Sequence, residues 1–78
     1  MIQVKLLAFA SAALRLGWRE IFAECSPSET PRELFERIAP GFDIGPARVA
    51  VNSEYHSWDD AIGPVAQEVA VIPPVSGG

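Results

Sequence analysis

The chain opens and closes in a strand, and two prolines cut the closing one short. Ile2, Val4, Leu6 and Ala8 alternate with Gln3, Lys5, Leu7 and Phe9 over residues 2–9. Val69 and Val71 alternate with Ala70 and Ile72 over residues 68–72. A period of two marks both stretches as strands. Pro73-Pro74 follows at once. Proline lacks a backbone N–H and has a fixed φ, so it cannot extend a central strand. The pair ends the sheet and is expected to hold Val75-Ser76-Gly77-Gly78 extended, in polyproline geometry, away from residues 1–72. A bare Gly-Gly says little, because chain ends fray. The whole string says more, since nothing polar or flexible separates the strand from the stiff spacer. Gly77 and Gly78 have no Cβ, so backbone there fits a channel too narrow for any other residue. What such a channel would receive is the α-carboxylate of Gly78.

Between the two strands the signals are local. Ser11 to Leu16 has room for one or two helical turns, ended by Gly17. Residues 18–25 form a second strand with two competing phases, because Ile21 and Phe22 are both large and apolar. It follows the first strand closely, so antiparallel pairing is expected. Thr30-Pro31-Arg32-Glu33 carries an N-cap, a proline at the first helical position and a capping-box glutamate. Leu34, Phe35 and Ile38 then lie at helical spacing, and Pro40-Gly41 stops a helix over residues 31–39. Val49 and Val51 mark a short third strand. Asn52-Ser53-Glu54 reads as a turn, residues 55–58 as a brief fourth strand, and residues 59–65 as irregular.

This order constrains the fold. The first and last strands can sit side by side and parallel at the sheet centre, with the helix across one face. That is a mixed-sheet α+β domain of the ubiquitin type, the β-grasp, with one main helix and an extended C-terminal Gly-Gly tail. The other face stays open. Alternation sends Leu7, Phe9, Tyr55, Ala70 and Ile72 to it or near it, beside the root of the tail. Large apolar groups on an open face suit docking of a partner.

Composition narrows the chemistry. A chain of 78 residues buries about 60% of its extended-chain surface, enough for one thin core. A net charge of −4 argues against nucleic acid and anionic membranes and fits a partner with a basic face. The apolar run after Lys5 has small residues like a secretion signal, but only one preceding lysine, and cleavage there would remove the clearest strand. No stretch is long enough to span a bilayer. Cys25 is the single cysteine and His56 the single histidine. No disulfide, thiolate cage, catalytic triad or multi-histidine metal site can be built from them, and a cytoplasmic location is expected. Cys25 is read as a small apolar packing group, His56 as a surface or turn residue, Trp58 as an anchor for the lower edge, and Asp59-Asp60 as a solvated turn. Arg32 and Arg37 are read as a solvated helix face. No glycine-rich phosphate loop exists, so no ATP site is expected in this chain.

Glu68-Val69-Ala70-Val71-Ile72-Pro73-Pro74-Val75-Ser76-Gly77-Gly78 resembles the C-terminal signature of the small, sulfur-carrying subunit of molybdopterin synthase. Val49-Ala50-Val51-Asn52 is similar to that family's third strand and asparagine turn, and residues 2–10 to its opening strand. The last eleven residues are the specific part. Ala66-Gln67 stands where the family usually has Gly-Asp, and Val71 and Ile72 where aromatics are often found before Pro-Pro. The resemblance implies a carrier without catalytic residues of its own. Its Gly78 carboxylate would be adenylated by a ubiquitin-activating-type enzyme using ATP and magnesium, then converted to a thiocarboxylate by a sulfur donor of the desulfurase or rhodanese type. The large catalytic subunit of the synthase would receive the tail in a heterotetramer, and the sulfur would build the dithiolene of molybdopterin. Gly77 would give access, and Pro73, Pro74, Val75 and Ser76 would make extended contacts in the partner's channel. Carriers for thiamine, cysteine or tungsten-cofactor synthesis share this chemistry. A ubiquitin-like modifier joined to lysines through Gly78, and a β-grasp interaction module with an inert tail, are the alternatives of other classes.

Overall fold

The computed structural model describes residues 1–74. Alternation at the N-terminus becomes β1 (Ile2–Ala8), whose even-numbered residues Val4, Leu6 and Ala8 are buried. The chain then turns through α1 (Ala10–Leu16), closed by Gly17 at φ 86°, a left-handed position that glycine takes without steric cost. It returns as β2 (Glu20–Cys25), antiparallel to β1. The competition between Ile21 and Phe22 is decided by register. Ile21 pairs with Leu6, and Phe22 pairs with Lys5. Ile21 therefore shares the inward side with Leu6, and Phe22 is left 62% exposed on the other.

The capping box forms as the local sequence requires. Thr30 Oγ1 accepts from Glu33 N–H at 3.1 Å, and Glu33 Oε1 accepts from Thr30 N–H at 2.9 Å, opening α2 (Pro31–Ile38). Its Pro31, Leu34 and Phe35 are buried. Phe35 is the hub, with ring centroids 6.5 Å from Trp18, 6.2 Å from Phe42 and 5.8 Å from Trp58, the last edge-on. Offset and edge-to-face contacts of this kind add to the burial of area itself. Trp58 anchors the lower edge, its indole N–H donating to Ala47 O at 2.9 Å. It follows β4 in a turn instead of ending the strand.

β3 (Arg48–Val51) and β4 (Glu54–His56) are joined by a two-residue loop with Asn52 at φ 51° and Ser53 at φ 70°. Two consecutive positive φ values are the type I′ geometry that matches strand twist, and asparagine tolerates it well. β5 (Glu68–Ile72) enters the middle of the sheet, parallel to β1 and antiparallel to β3. The order is β2-β1-β5-β3-β4. This is the ubiquitin-like β-grasp expected from the element order, with a second short helix, α1. Val4, Leu6, Val49, Val69 and Val71 line the covered face under α2, together with the fully buried Cys25.

Arg32 and Arg37 are not a merely solvated face. Arg32 makes a two-pronged contact with Asp59, at 2.7 and 3.2 Å. Arg37 holds Glu29 through two bonds and also donates to Glu24 O at 2.8 Å. A planar guanidinium suits such bidentate geometry, and each pair ties α2 to a neighbouring loop. The hydrogen bond from Arg32 holds the Asp59 carboxyl below its ordinary value. His56 lies within β4, half-buried, with Nε2 3.1 Å from Asp60 O.

Candidate functional site

The open face is the complement of the alternation that builds the core. Leu7 pairs with Ala70 across the β1–β5 ladder, Ala70 with Ala50, and Ala50 with Tyr55, so one row crosses four strands. The next row holds Ile72 opposite Arg48. Phe9 follows directly on β1 as the N-cap residue of α1, in extended conformation. Together Leu7, Phe9, Tyr55 and Ile72 border a groove of about 360 Å³ whose lining also includes Ala50, Ala70, Ser53 and Glu68. Ala50 and Ala70 are 5% and 8% exposed and lie outside the core cluster. Their small side chains form the floor, and the larger residues stand around it as walls. Phe9 is 49% and Tyr55 63% exposed, so much apolar surface is left facing water.

Residues 7 and 9, 55, and 72 are therefore brought together from three separate parts of the chain. Ala50, Ser53, Glu68 and Arg48 complete the surroundings and were not singled out from the sequence. The Arg48 guanidinium lies 4.1 Å from the Tyr55 ring centroid, a cation–π contact that braces the exposed ring. Only the register shows this pairing, since seven positions separate the two residues along the chain. The alternation of β3 did contain a signal for Ala50, because a small residue between two inward valines must face outward.

The root of the tail is held from two directions. Val71 pairs with Ala8 and Val49, so β5 is held on both sides as far as Val71, and Ile72, the last residue before the prolines, is paired with Arg48 of β3. Pro73 is half-buried and Pro74 exposed. At the other end of β5, Asn52 acts as a latch. Its Oδ1 accepts from Gln67 N–H at 2.7 Å and Glu68 N–H at 3.1 Å, and its Nδ2 donates to Val65 O at 3.0 Å. Its own N–H donates to Glu68 O at 2.9 Å. The latch sets where β5 starts, and so how far along the sheet Ile72-Pro73 emerges. Val75, Ser76, Gly77 and Gly78, which the sequence reading made central, lie outside the described residues.

Cys25 offers no nucleophile. It is fully buried, and desolvation followed by the nearby Glu29 charge pushes its thiol up, away from the thiolate. Among the described residues no three His, Cys, Asp or Glu side chains gather as a metal site, and no helix is long and apolar enough to cross a membrane.

No protein-family model matches the chain, and no curated protein matches it by sequence. Solved structures do match over nearly the whole length. The modifier protein SAMP1 of Haloferax volcanii superposes with a TM-score of 0.75 at 21% identity, over 99% of this chain and 100% of that one. A putative molybdopterin converting factor subunit 1 from Pyrococcus furiosus gives a TM-score of 0.71 at 28% identity, over 96% and 100%. A protein–protein complex of subunits 1 and 2 of the molybdopterin-converting factor from Helicobacter pylori contains a chain that matches with a TM-score of 0.61 at 16% identity, over 99% and 100%. The fold and the kind of neighbour are those that the C-terminal signature implied.

Proposed function

We propose that the chain is a sulfur carrier for molybdopterin synthesis, with the Gly78 carboxylate as its working group. Residues 1–72 serve as the recognition domain and residues 73–78 as the arm. The observation that carries the reading is the run of Ile72 straight from the central strand into Pro73-Pro74 and on to Gly77-Gly78, beside an apolar groove. The likeness to the Pyrococcus subunit 1 supports the pathway, and the Helicobacter complex supports a large-subunit partner.

The chemistry follows from the weakness of a carboxylate as an electrophile. A Gly78 oxygen attacks the α-phosphorus of ATP on an activating enzyme, and pyrophosphate leaves. A donor supplying sulfur at the oxidation level of sulfide then displaces AMP from the acyl-adenylate. The resulting thiocarboxylate is ionised at neutral pH, and its polarisable sulfur is a competent nucleophile toward an activated pterin precursor. This chain contributes presentation. Leu7, Phe9, Tyr55 and Ile72 dock on a partner, Pro73 and Pro74 keep the arm straight, Val75 and Ser76 lie along the partner's channel, and Gly77 lets the end pass. ATP, magnesium and the acid–base groups belong to the partners, and the cytoplasm is the setting.

Mass spectrometry of the protein from cells tests this. The expected result is a species heavier by the difference between sulfur and oxygen, lost on deletion of Gly78, together with a co-purifying large subunit. A second reading draws on the likeness to SAMP1, a modifier. Conjugates in which Gly78 is joined to lysines of other proteins, with no sulfur-bearing form, would replace the carrier reading with that one. An intact, unmodified chain whose loss of Gly78 has no effect would remove both.

A further inference from the structure

β2 is one edge of the sheet, and hydrogen-bond parity shows which of its groups face outward. Lys5 N–H donates to Gln67 O, toward β5, whereas Ala8 N–H donates to Arg19 O, toward the β2 side. Backbone groups alternate in direction along a strand, so Val4 and Leu6 bond across the ladder with Ala23 and Ile21. The N–H and C=O groups of Glu20, Phe22 and Glu24 therefore point away from the sheet. One is closed, because Glu24 O accepts from Arg37, which Glu29 holds in place. Among the described residues, the groups of Glu20 and Phe22 have no neighbouring strand.

The side chains of the same three residues share the open face and are exposed. Charges on an edge normally guard it against strand pairing. Here the central position between the two carboxylates is instead Phe22, 62% exposed. Neither Glu20 nor Glu24 forms an ion pair among the described residues. A second copy pairing antiparallel about Phe22 would set Glu20 against Glu24 twice, and like charges directly opposite are destabilising. Charge complementarity selects a different occupant, a strand with a basic residue two positions before and two after a central apolar one.

We infer that the β2 edge is a strand-addition site for an extended segment of a partner protein with the pattern basic–x–apolar–x–basic. The added strand bonds to the outward groups of Glu20 and Phe22, covers the Phe22 ring and pairs its two cations with Glu20 and Glu24. β1 separates this edge from β5, so the tail root stays clear. The inference stands apart from the sulfur chemistry.

The test is a titration of the isotope-labelled 78-residue chain with the peptide Thr-Lys-Val-Phe-Val-Lys-Thr, blocked at both ends, and with its counterpart carrying Glu for Lys, followed by amide NMR. The expected result is saturable shifts centred on residues 20–24 and slowed exchange of the Phe22 N–H. Affinity should be weaker by about tenfold for the acidic peptide, and the preference should reverse in the double variant Glu20→Lys, Glu24→Lys. Both positions are exposed, so a dispersed spectrum of that variant will show that it still folds. Absence of saturable shifts, equal affinity for the two peptides, shifts centred on Leu7, Ala50 and Tyr55, or self-association through the β2 amides would each overturn the inference.

Discussion

On the face of the sheet under α2, Val4, Leu6, Val69 and Val71 are 0–1% exposed. On the other face the same two strands present Leu7 and Ile72, which stay partly open to water beside Phe9 and Tyr55. The residue types differ little, but the surroundings differ. The covered face is closed by α2 and a cluster of rings around Phe35, whereas the open face has only small alanines for a floor and Arg48 as a brace. One strand with a period of two thus supplies two surfaces. The difference teaches that apolar character alone does not assign a residue to stability or to recognition. What assigns it is whether anything in the same chain covers it.

That contrast can be broken most forcefully at its centre. Phe35→Ala removes the hub of the covered face and is expected to cost about 3–5 kcal/mol, a large share of the stability of so small a domain. Chemical denaturation followed by circular dichroism will show it as a lowered midpoint. On the open face, Leu7→Asp or Ile72→Asp should weaken capture of a large-subunit partner by about 2 kcal/mol while thermal unfolding moves little. A pull-down with unchanged affinity would strip the groove of its docking role. Asn52→Ala loses the latch at the start of β5 and should cost about 1–3 kcal/mol, since Gln67 and Glu68 N–H lose their acceptor. Hydrogen exchange should then rise first at β5 and spread to its neighbours. Thr30→Ala, which removes half the capping box, is expected to cost about 1 kcal/mol by the same denaturation measurement.

The smallest effect sits at the Arg32–Asp59 pair. Its hydrogen bond depresses the Asp59 pKa, so the folded state holds this proton less tightly than the unfolded state does. The contribution is present above the ordinary carboxylate range and is lost as pH falls through the depressed value. Asp59→Asn should therefore be slightly less stable than the parent near neutrality and equal to it in strong acid. Salt should narrow the gap, because both partners are exposed.

Some of this was legible in the residues alone. The capping box at Thr30 and Glu33 depends on groups three positions apart, so its geometry is written locally. The strands expected at 2–9 and 68–72 were marked by alternation, the first ending one residue sooner because Phe9 caps α1, and their order with the helix led to the β-grasp. The phase of β2 was not legible, because both Ile21 and Phe22 are apolar and only the pairing with Leu6 and Lys5 separates them. Arg32 looked solvated because its partner, Asp59, lies 27 positions away. The helix boundaries moved by a residue, since end turns are decided by which last carbonyl still finds a donor.

By itself, the sequence determined the element order, the direction in which the alternate residues of β1, β3 and β5 point, and the stop that Pro73-Pro74 places on β5. These are backbone matters, set by missing N–H groups, fixed φ angles and short-range caps. Alternation put Leu7, Phe9, Tyr55 and Ile72 on or near one open face, but tertiary structure alone decided that they border a groove, that Arg48 braces Tyr55, and that Phe22 stands between two carboxylates on an edge strand. Those arrangements depend on register between strands distant in sequence. Register is chosen by the whole sheet at once, through burial of one face under α2.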